Sequence, residues 1–417
     1  MTKRREFIKK SIIGTTGLTI AGLGLGSGAA GSARSAGSAG SSGSAGSAGS
    51  TGLVQGDIVW QEDPEWMKVK FGDWGGPGVS SRPGPMDNMR LKDWAPRSLV
   101  VTKETFVDKA RFPVIDCHLH IYGRTPEQVA EWVRTKDEVG IEKSVILTGA
   151  TGEAFDDLVD LYLGPYPDRF ILYCGIERDD PEAPGYSARA VAELDRCHSR
   201  GARGVGEISD KGFGITRDTS LPRDRRLHPD DERLDAVWQR CGELGLPVNI
   251  HFADHPSCWT PLDVFQERTP DYQHFNMYEL DALHYDELLQ IRDRTLEKHP
   301  GTIFIACHLS NQGNDLEALG RVMDRYPNLY LDTSARDYEM GRTPRSSARF
   351  LEKYMDRIVF GTDMGRRKSM FQIHWRLLET DDEYIPGRVG WRYYGLNLSD
   401  RVLEALYRGT ALKVHKI

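Results

Sequence analysis

The sequence has few cysteines, no excess of positive charge and no long uninterrupted apolar run, and each shortage argues against a class of protein. Its six cysteines never occur in Cys-x-x-Cys spacing, so we expect no disulfide framework. The formal net charge of -7 disfavours nucleic-acid binding, because that function needs a basic face. The composition, with 39% hydrophobic residues, is that of an acidic globular protein with enough apolar side chains for a sizeable core.

The first 30 residues are typical of an export signal. Residues 3–9, which contain Arg4 and Arg5, resemble the twin-arginine signal, and a mildly apolar stretch follows them. A membrane anchor and a basic tail are the alternatives, but this stretch holds too much Gly, Ser and Thr for a good membrane span. We therefore expect the twin-arginine export machinery as a partner and a periplasmic or secreted protein that is exported folded. No stable membrane anchor is expected to remain after signal removal.

Two further segments precede the regular part of the chain. Residues 31–52 are almost wholly Ser, Ala and Gly, which cannot bury apolar surface, so this linker is predicted to be disordered. Residues 53–111 are rich in Gly, Pro and Trp and are predicted to form an irregular N-terminal arm that packs on the main domain. The main domain is predicted to span residues 112–417.

From residue 113 onward, short apolar runs alternate with amphipathic segments. There are eight such runs, at 113–118, 144–147, 170–176, 204–208, 247–251, 302–308, 329–332 and 357–360. Near-continuous apolar strands separated by helical patterns indicate parallel βα units, and eight units in about 250 residues are typical of a closed barrel. The predicted fold is therefore an α/β (β/α)₈ TIM barrel, with a doubly wound sheet as the alternative.

Local signals define one helix and one insertion. Thr125 is a predicted N-cap, Gln128 completes a capping box with it, and Gly140 ends the helix. The interval between the fifth and sixth runs is longer than a simple connection requires. We expect this insertion after strand 5 to form a lid over the barrel mouth, with Trp259 as a substrate-binding residue.

Histidine and acidic residues follow the apolar runs with notable regularity. They are His118 and His120 after the first run, Glu207 after the fourth, His251 after the fifth, His308 after the sixth, Asp332 after the seventh and Asp363 after the eighth. In a barrel these strand ends converge on one face. His118 and His120 are two residues apart, so both imidazoles project to one side of an extended strand and can chelate one ion. The combination predicts a divalent metal site.

Several of these residues also have structural interpretations. His251 and His308 could be core histidines bonded to carbonyl groups, His308 more readily because a mononuclear site is complete without it. Glu207 could bridge two ions, bind one, or neutralise a neighbour such as Lys211. Arg336 could bind a substrate carboxylate or form a surface ion pair. Asp332 could simply cap the chain after its strand.

At these positions the chain resembles the amidohydrolase superfamily, in particular its amidohydrolase-related branch, from about residue 113 to 410. The motifs are Val-Ile-Asp-Cys-His-Leu-His at 114–120, Asn-Ile-His at 249–251, Ala-Cys-His-Leu at 306–309, Asn-Leu-Tyr-Leu-Asp-Thr at 328–333 and Arg-Ile-Val-Phe-Gly-Thr-Asp at 357–363. The resemblance implies that His118, His120 and His251 are metal ligands. It further implies that Asp363 is both a ligand and a proton acceptor, and that His308 is a ligand or a polarising catalytic group.

Two features depart from that branch. Gly206-Glu207 looks more like the TatD-type nucleases, in which the glutamate helps to hold a second metal, so Glu207 is a further candidate ligand and one or two ions are possible. The segment 408–411 lacks the asparagine that is common in the branch where the terminal helix begins. By ligand type the ion is expected to be zinc, although manganese, iron or nickel would also suit these donors.

The expected activity is hydrolysis of an amide, ester or lactone of a small molecule. In this hypothesis the cation lowers the pKa of a bound water, Asp363 accepts the proton, and His308 steadies the developing oxyanion. The alternative is a metal-dependent lyase, a decarboxylase or hydratase of a small carboxylic acid, which would require Arg336 or Arg366 for substrate binding. A non-catalytic secreted binding protein and a phosphodiesterase carry less weight, the latter because an acidic surface repels polyanions.

Overall fold

The computed structural model of the protein describes residues 84–90, 93, 95, 97–263, 266–267, 270–387 and 391–417. The predicted export signal at 1–30, the predicted linker at 31–52 and most of the predicted arm lie outside these residues. Within the described residues, none of the helices combines the length and the apolar character that a membrane crossing requires.

Eight parallel strands alternate with helices along the chain. The strands are β1 (Val114–Leu119), β2 (Ile141–Leu147), β3 (Phe170–Tyr173), β4 (Val205–Asp210), β5 (Val248–Phe252), β6 (Phe304–Ala306), β7 (Leu329–Asp332) and β8 (Ile358–Val359). A strand occurs at each of the eight predicted runs. The α/β class with parallel strands is therefore confirmed, and a short antiparallel pair, β9 (Ile385–Pro386) and β10 (Arg392–Tyr393), is added near the C-terminus.

The helices pack their apolar faces against the strands. They are α1 (Pro126–Val139), α2 (Gly152–Tyr162), α3 (Tyr186–Arg200), α4 (Glu232–Leu244), α5 (Tyr285–Lys298), α6 (Leu316–Arg325), α7 (Asp337–Arg342), α8 (Pro344–Lys353), α9 (Lys368–Glu379), α10 (Asp400–Glu404) and α11 (Thr410–His415). A π-helical stretch, Ala405–Gly409, joins α10 to α11. Each of the connections between consecutive strands from β1 to β8 contains at least one of these helices, as parallel strands require.

Helix α1 begins and ends at the predicted residues, with one correction. The Thr125 hydroxyl accepts a hydrogen bond from the Gln128 backbone N–H, and Gly140 ends the helix in the left-handed region at φ 94°. The Gln128 side chain, however, accepts from the backbone N–H of Arg124 at 2.8 Å rather than from that of Thr125. The predicted capping box is therefore displaced by one residue, because the side chain reaches one residue further back.

The strand order is that of the predicted barrel, but regular strand pairing does not close the ring. Strands β1 to β3 form one sheet, and strands β4 to β8 form a second. A single parallel bridge between Cys174 and Val205 links the two sheets at one side. At the other side, the backbone N–H of Cys117 donates to the carbonyl of Phe360 at 2.8 Å. Strands β3 and β8 are short, which leaves few ladder bonds at these two junctions.

The two sheets share a hydrophobic core. One cluster of buried side chains combines Ile115, Val145 and Tyr173 of the first sheet with Tyr330 and Val359 of the second. A larger cluster lies between the strands and the helices. All six cysteines are buried and free. The thiols of Cys197 and Cys307 donate to Glu193 at 3.1 Å and to Asn249 at 3.0 Å.

The insertion after β5 is held together by an indole ring. Its 3₁₀ turns are Pro256–Trp259 and Pro270–Phe275. Trp259 is buried, its Nε1–H donates to the Leu283 carbonyl at 3.0 Å, and its ring lies 5.8 Å from that of Tyr285. Trp259 therefore ties the start of the insertion to its end, and the predicted lid function stays a prediction.

The last part of the predicted arm contacts the region around α9. The backbone N–H and the hydroxyl of Thr105 donate to the Asp382 carboxylate at 2.6 and 2.7 Å. The Arg111 guanidinium donates to Asp400 at 2.7 Å, and its backbone N–H donates to Glu379 at 3.0 Å. These contacts concern residues 105–111 only, and the arm as a whole stays a prediction.

Candidate metal centre

The chain brings Asp363 next to the histidine pair by fastening β1 to the segment after β8. The buried carboxylate of Asp116 accepts hydrogen bonds from the His118 backbone N–H at 3.2 Å and from the Thr362 hydroxyl at 2.7 Å. The Asp363 backbone N–H donates to the His118 carbonyl at 2.9 Å. As a result, Asp363 Oδ1 lies 3.3 Å from His120 Nε2.

The imidazoles of His118, His120 and His308 each form a hydrogen bond through Nδ1. Each Nδ1 lies beside an oxygen that can accept: the Asp332 carboxylate for His118 (2.8 Å), the Leu147 carbonyl for His120 (3.4 Å) and the Ser334 carbonyl for His308 (2.9 Å). In the neutral rings the proton therefore resides on Nδ1, and the lone pair resides on Nε2. This arrangement is the one that prepares a histidine to bind a metal through Nε2.

The three Nε2 atoms surround the carboxylate of Glu207. Its oxygens lie 3.9 Å from His118 Nε2, 3.4 Å from His120 Nε2 and 4.0 Å from His308 Nε2. His118 Nε2 is buried and has no hydrogen-bond partner among the described residues. Buried polar atoms are normally satisfied, so this nitrogen is available to a bound ion.

The donor atoms fit a divalent cation. One atom from each of His118, His120 and Asp363 lies within 4.8 Å of the others, and the same holds for His118, Glu207 and His308. Ligands about 2.0–2.1 Å from a tetrahedral zinc ion lie about 3.4 Å apart, so a small contraction would complete either group. Nitrogen and carboxylate donors suit zinc and its transition-metal neighbours.

His251 lies beside this cluster and faces two carboxylates. Its Nδ1 donates to Glu207 at 2.5 Å and its Nε2 donates to Asp254 at 3.1 Å. Asp254 also forms an ion pair with Lys211 at 2.9 Å. Burial and the charge of Lys211 lower the pKa of His251, but the two carboxylates outweigh them and raise it. His251 therefore reaches the centre through Glu207 in this arrangement, and direct ligation stays a prediction.

The protonation of the cluster is set by burial and by neighbouring charges. Burial disfavours the charged form of His118, but the Asp332 carboxylate raises the pKa of His118 to about 10. Burial raises the pKa of Asp332, and the charge and hydrogen bond of His118 bring it down to about 2. Burial lowers the pKa of His308, and the charges of His251 and His118 lower it further, so His308 stays neutral. A cation at this centre competes with the proton on His118.

The backbone is strained where it carries two of the site residues. Four consecutive residues from His308 to Asn311 have φ between 51° and 60°, and Asp363 has φ 53°. The left-handed region costs non-glycine residues roughly 1–2 kcal/mol each. The run is held by hydrogen bonds from Asn311 Nδ2 to the carbonyls of Phe252 (3.0 Å) and Ala253 (3.1 Å). Strain of this kind concentrates at functional sites, where the surrounding structure enforces it.

The three predicted substrate-binding residues lie in different environments. Arg336 is buried, pairs with Glu339 at 3.2 Å, and lies near enough to His308 for its charge to lower the pKa of that imidazole. Arg366 pairs with Glu131 of α1 at 3.1 Å. Trp259 packs inside the insertion. The structure thus places Arg336 beside the cluster, whereas Arg366 and Trp259 are engaged elsewhere.

Some supporting residues were not singled out from the sequence. Asp116 links β1 to Thr362 after β8, and Ser334 contacts the His308 imidazole. Asp254 contacts His251, and the Tyr122 hydroxyl donates to Asp363 at 3.4 Å. A signal existed for Asp116, because a charged residue inside an apolar strand needs buried partners. The contacts of Ser334 and Tyr122 depend on strand packing and left no signal.

The chain is similar to a known family in sequence and to solved structures in fold. Residues 115–417 match the sequence model of a family described as amidohydrolase. No curated protein matches this sequence. The chain is similar to three solved structures, each with 73% of this chain covered: 2,6-dihydroxybenzoate decarboxylase from Rhizobium (17% identity, 99% of that chain, TM-score 0.45), a zinc-bound amidohydrolase from Burkholderia multivorans (14%, 99%, 0.42) and IDCase from Metarhizium anisopliae (12%, 97%, 0.47).

Proposed function

Because this chain belongs to the amidohydrolase family, whose sequence model spans residues 115–417, we propose that it is a metal-dependent hydrolase of a small-molecule amide, ester or lactone. Family membership supports an enzyme. The observation that carries the metal dependence is the convergence of the Nε2 atoms of His118, His120 and His308 with the carboxylates of Asp363 and Glu207, together with the buried, unpartnered state of His118 Nε2 among the described residues.

The proposed ligands are His118, His120, His251, Asp363 and Glu207, and zinc is the proposed ion. His308 presents a lone pair and not an N–H to the centre, because its Nδ1–H is directed at the Ser334 carbonyl. This favours a ligand role for His308 over donation of a hydrogen bond to an oxyanion. The two donor groups share His118, so Glu207 could complete the same site or contribute to a second one.

A divalent cation at such a centre supplies Lewis acidity, which lowers the pKa of water towards about 7 and polarises a carbonyl oxygen. Asp363 is suited to accept the proton. Burial raises the pKa of its carboxyl group, but the hydrogen bond from His120 and the charges of His118 and His120 lower it below the usual value. Asp363 is therefore ionised at neutral pH, and its Oδ1 also accepts from the Tyr122 hydroxyl, which orients the carboxylate.

The first test is metal analysis of the purified full-length protein, followed by assays with lactones, amides, esters and small carboxylic acids. We expect about one or two divalent ions per chain. We further expect a hydrolytic activity that a chelator removes and zinc restores. Release of carbon dioxide or water from a carboxylic acid would contradict hydrolysis and identify a lyase. A protein that holds no metal and turns over nothing would contradict the enzyme proposal.

We also propose that the eight strands form a (β/α)₈ barrel.

We further propose that the protein is exported through the twin-arginine route. The sequence of residues 3–30 supports this proposal. Replacing Arg4 and Arg5 together with lysine should retain the protein in the cytoplasm of an expressing cell, as measured by fractionation and immunoblotting. Replacing Lys10 with glutamine changes one charge outside residues 3–9, leaves the arginine pair intact and serves as the control. Unchanged export of the double-lysine variant would argue against this route.

A further inference from the structure

A buried ion pair lies in the segment that follows β7. Arg336 Nε lies 3.2 Å from one carboxylate oxygen of Glu339, and both side chains are buried. His255, which follows β5, has its Nε2 3.3 Å from the other oxygen of Glu339. The backbone N–H of Ser257 donates to His255 Nδ1 at 3.2 Å, so the proton of the neutral ring resides on Nε2 and faces the carboxylate. Glu339 therefore balances the charge of Arg336 inside the protein.

The same guanidinium connects this ion pair to His308. A terminal nitrogen of Arg336 donates to the side-chain oxygen of Asn311. The backbone N–H of Asn311 donates in turn to the His308 carbonyl at 2.9 Å. Two residues further on, a Cβ atom on Gly313 would overlap the Glu339 carboxylate, so the absence of a side chain lets Glu339 pack against this segment. A continuous series of contacts thus runs from Glu339 through Arg336 and Asn311 to His308.

These contacts act on a backbone conformation that needs support. All four residues from His308 to Asn311 have positive φ, and none of them is glycine. Residues with a side chain rarely adopt this conformation in succession, and it persists only where the surrounding structure enforces it. The direction of the His308 imidazole therefore depends on side chains from other segments, among them Arg336, and not on the local sequence alone.

We propose that Glu339 is a positioning residue for the metal centre. By pairing with Arg336, Glu339 keeps the guanidinium against Asn311, and this contact fixes the 308–311 segment and the direction of the His308 imidazole. Partners of a ligand outside the site orient that ligand and so influence metal affinity. The inference rests on the proposed function, since His308 belongs to a candidate donor group. It also favours an internal role for Arg336 over the predicted contact with a substrate carboxylate, because Glu339 already balances its charge.

Replacing Glu339 with glutamine should release Arg336 and change the environment of His308. The measurement is NMR of the full-length, metal-free protein with isotope-labelled histidine, because correlations between ring nitrogens and protons identify the protonated nitrogen. His308→Asn assigns the His308 signals. In the wild type we expect the proton on Nδ1, which faces the Ser334 carbonyl at 2.9 Å. In Glu339→Gln we expect these signals to shift or to divide between the two tautomers, and the zinc Kd to rise by about ten- to a hundredfold.

A second variant decides the test if Arg336, left as an unpaired buried charge, prevents folding. Arg336→Met combined with Glu339→Gln removes both charges, which a protein interior tolerates far better than the loss of one partner, and it should alter the His308 signals in the same way. Asp382→Asn is the matched control. It also neutralises a buried carboxylate that pairs with an arginine, Arg376 of α9 at 2.7 Å, and it should leave the His308 signals and the zinc Kd unchanged.

The outcomes separate this inference from the proposed function. Identical His308 signals in the wild type, Glu339→Gln and the double variant would overturn the inference, whether or not the protein holds a metal. An equal change in Asp382→Asn, or failure of both Glu339 variants to fold, would also overturn it, because the ion pair would then serve only the stability of the whole fold. Altered His308 signals in the variants of a chain that takes up no zinc would contradict the hydrolase proposal alone.

Discussion

Replacing Asp363 with asparagine should lower kcat by about 10²–10⁴-fold, the contribution that a positioned proton acceptor makes. The amide cannot accept the proton at neutral pH, whereas the aspartate is ionised there because neighbouring imidazoles lower its pKa. The fold should be unaffected. Asparagine tolerates the left-handed backbone at φ 53°, and the backbone hydrogen bond to the His118 carbonyl does not involve the side chain.

The control for this variant is Asp180→Asn. Asp180 is exposed and also lies in the left-handed region, at φ 45°, so the same chemical change is made on a similar backbone away from the proposed ligands. Circular dichroism and metal content are measured on the same samples as kcat. Full activity in the Asp363→Asn protein would refute the assigned role. Recovery of activity in excess zinc would assign Asp363 to metal binding rather than to proton transfer.

The second large effect concerns metal affinity. Replacing His120 with asparagine removes an Nε2 donor that lies 3.3 Å from Asp363 and 3.4 Å from Glu207. Loss of an outer hydrogen-bond partner of a ligand weakens metal binding by roughly 10–100-fold, so loss of a ligand itself should cost at least about 100-fold. The His120 side chain is 36% exposed, so its removal should leave the core packing intact.

This change can be measured as a loss of zinc-dependent stability. At free zinc 100 times the wild-type Kd, binding should add about 2.7 kcal/mol to the free energy of unfolding of the wild type, and a hundredfold weaker site should add only about 0.4 kcal/mol. His198→Asn is the control, because His198 lies on α3 and its imidazole bonds, among the residues that the structure describes, only to the Ala202 carbonyl at 3.2 Å. Equal zinc-induced stabilisation of the wild type and the His120→Asn protein would exclude His120 as a ligand.

Much of the fold, and the convergence of the candidate ligands His118, His120 and Asp363, could be predicted from local sequence. Apolar runs and helix signals depend on residues a few positions apart, which is why all eight strands and the bounds of α1 were predicted. The spacing of His118 and His120 is equally local, because alternation along an extended strand puts both on one side. The expectation that these residues meet Asp363 followed from the convergence of parallel strand ends.

Only the tertiary structure determined which hydrogen-bond partners and neighbouring charges those residues have. His118 and Asp332 are 214 positions apart, yet their hydrogen bond selects the nitrogen that His118 offers to an ion. The position of Glu207 among the imidazoles, the turning of His251 towards it, and the division of the strands into two sheets are likewise products of packing. Local sequence encodes which conformations and chemistries are available, but hydrogen-bond partners and neighbouring charges are fixed by the distances between remote segments after folding.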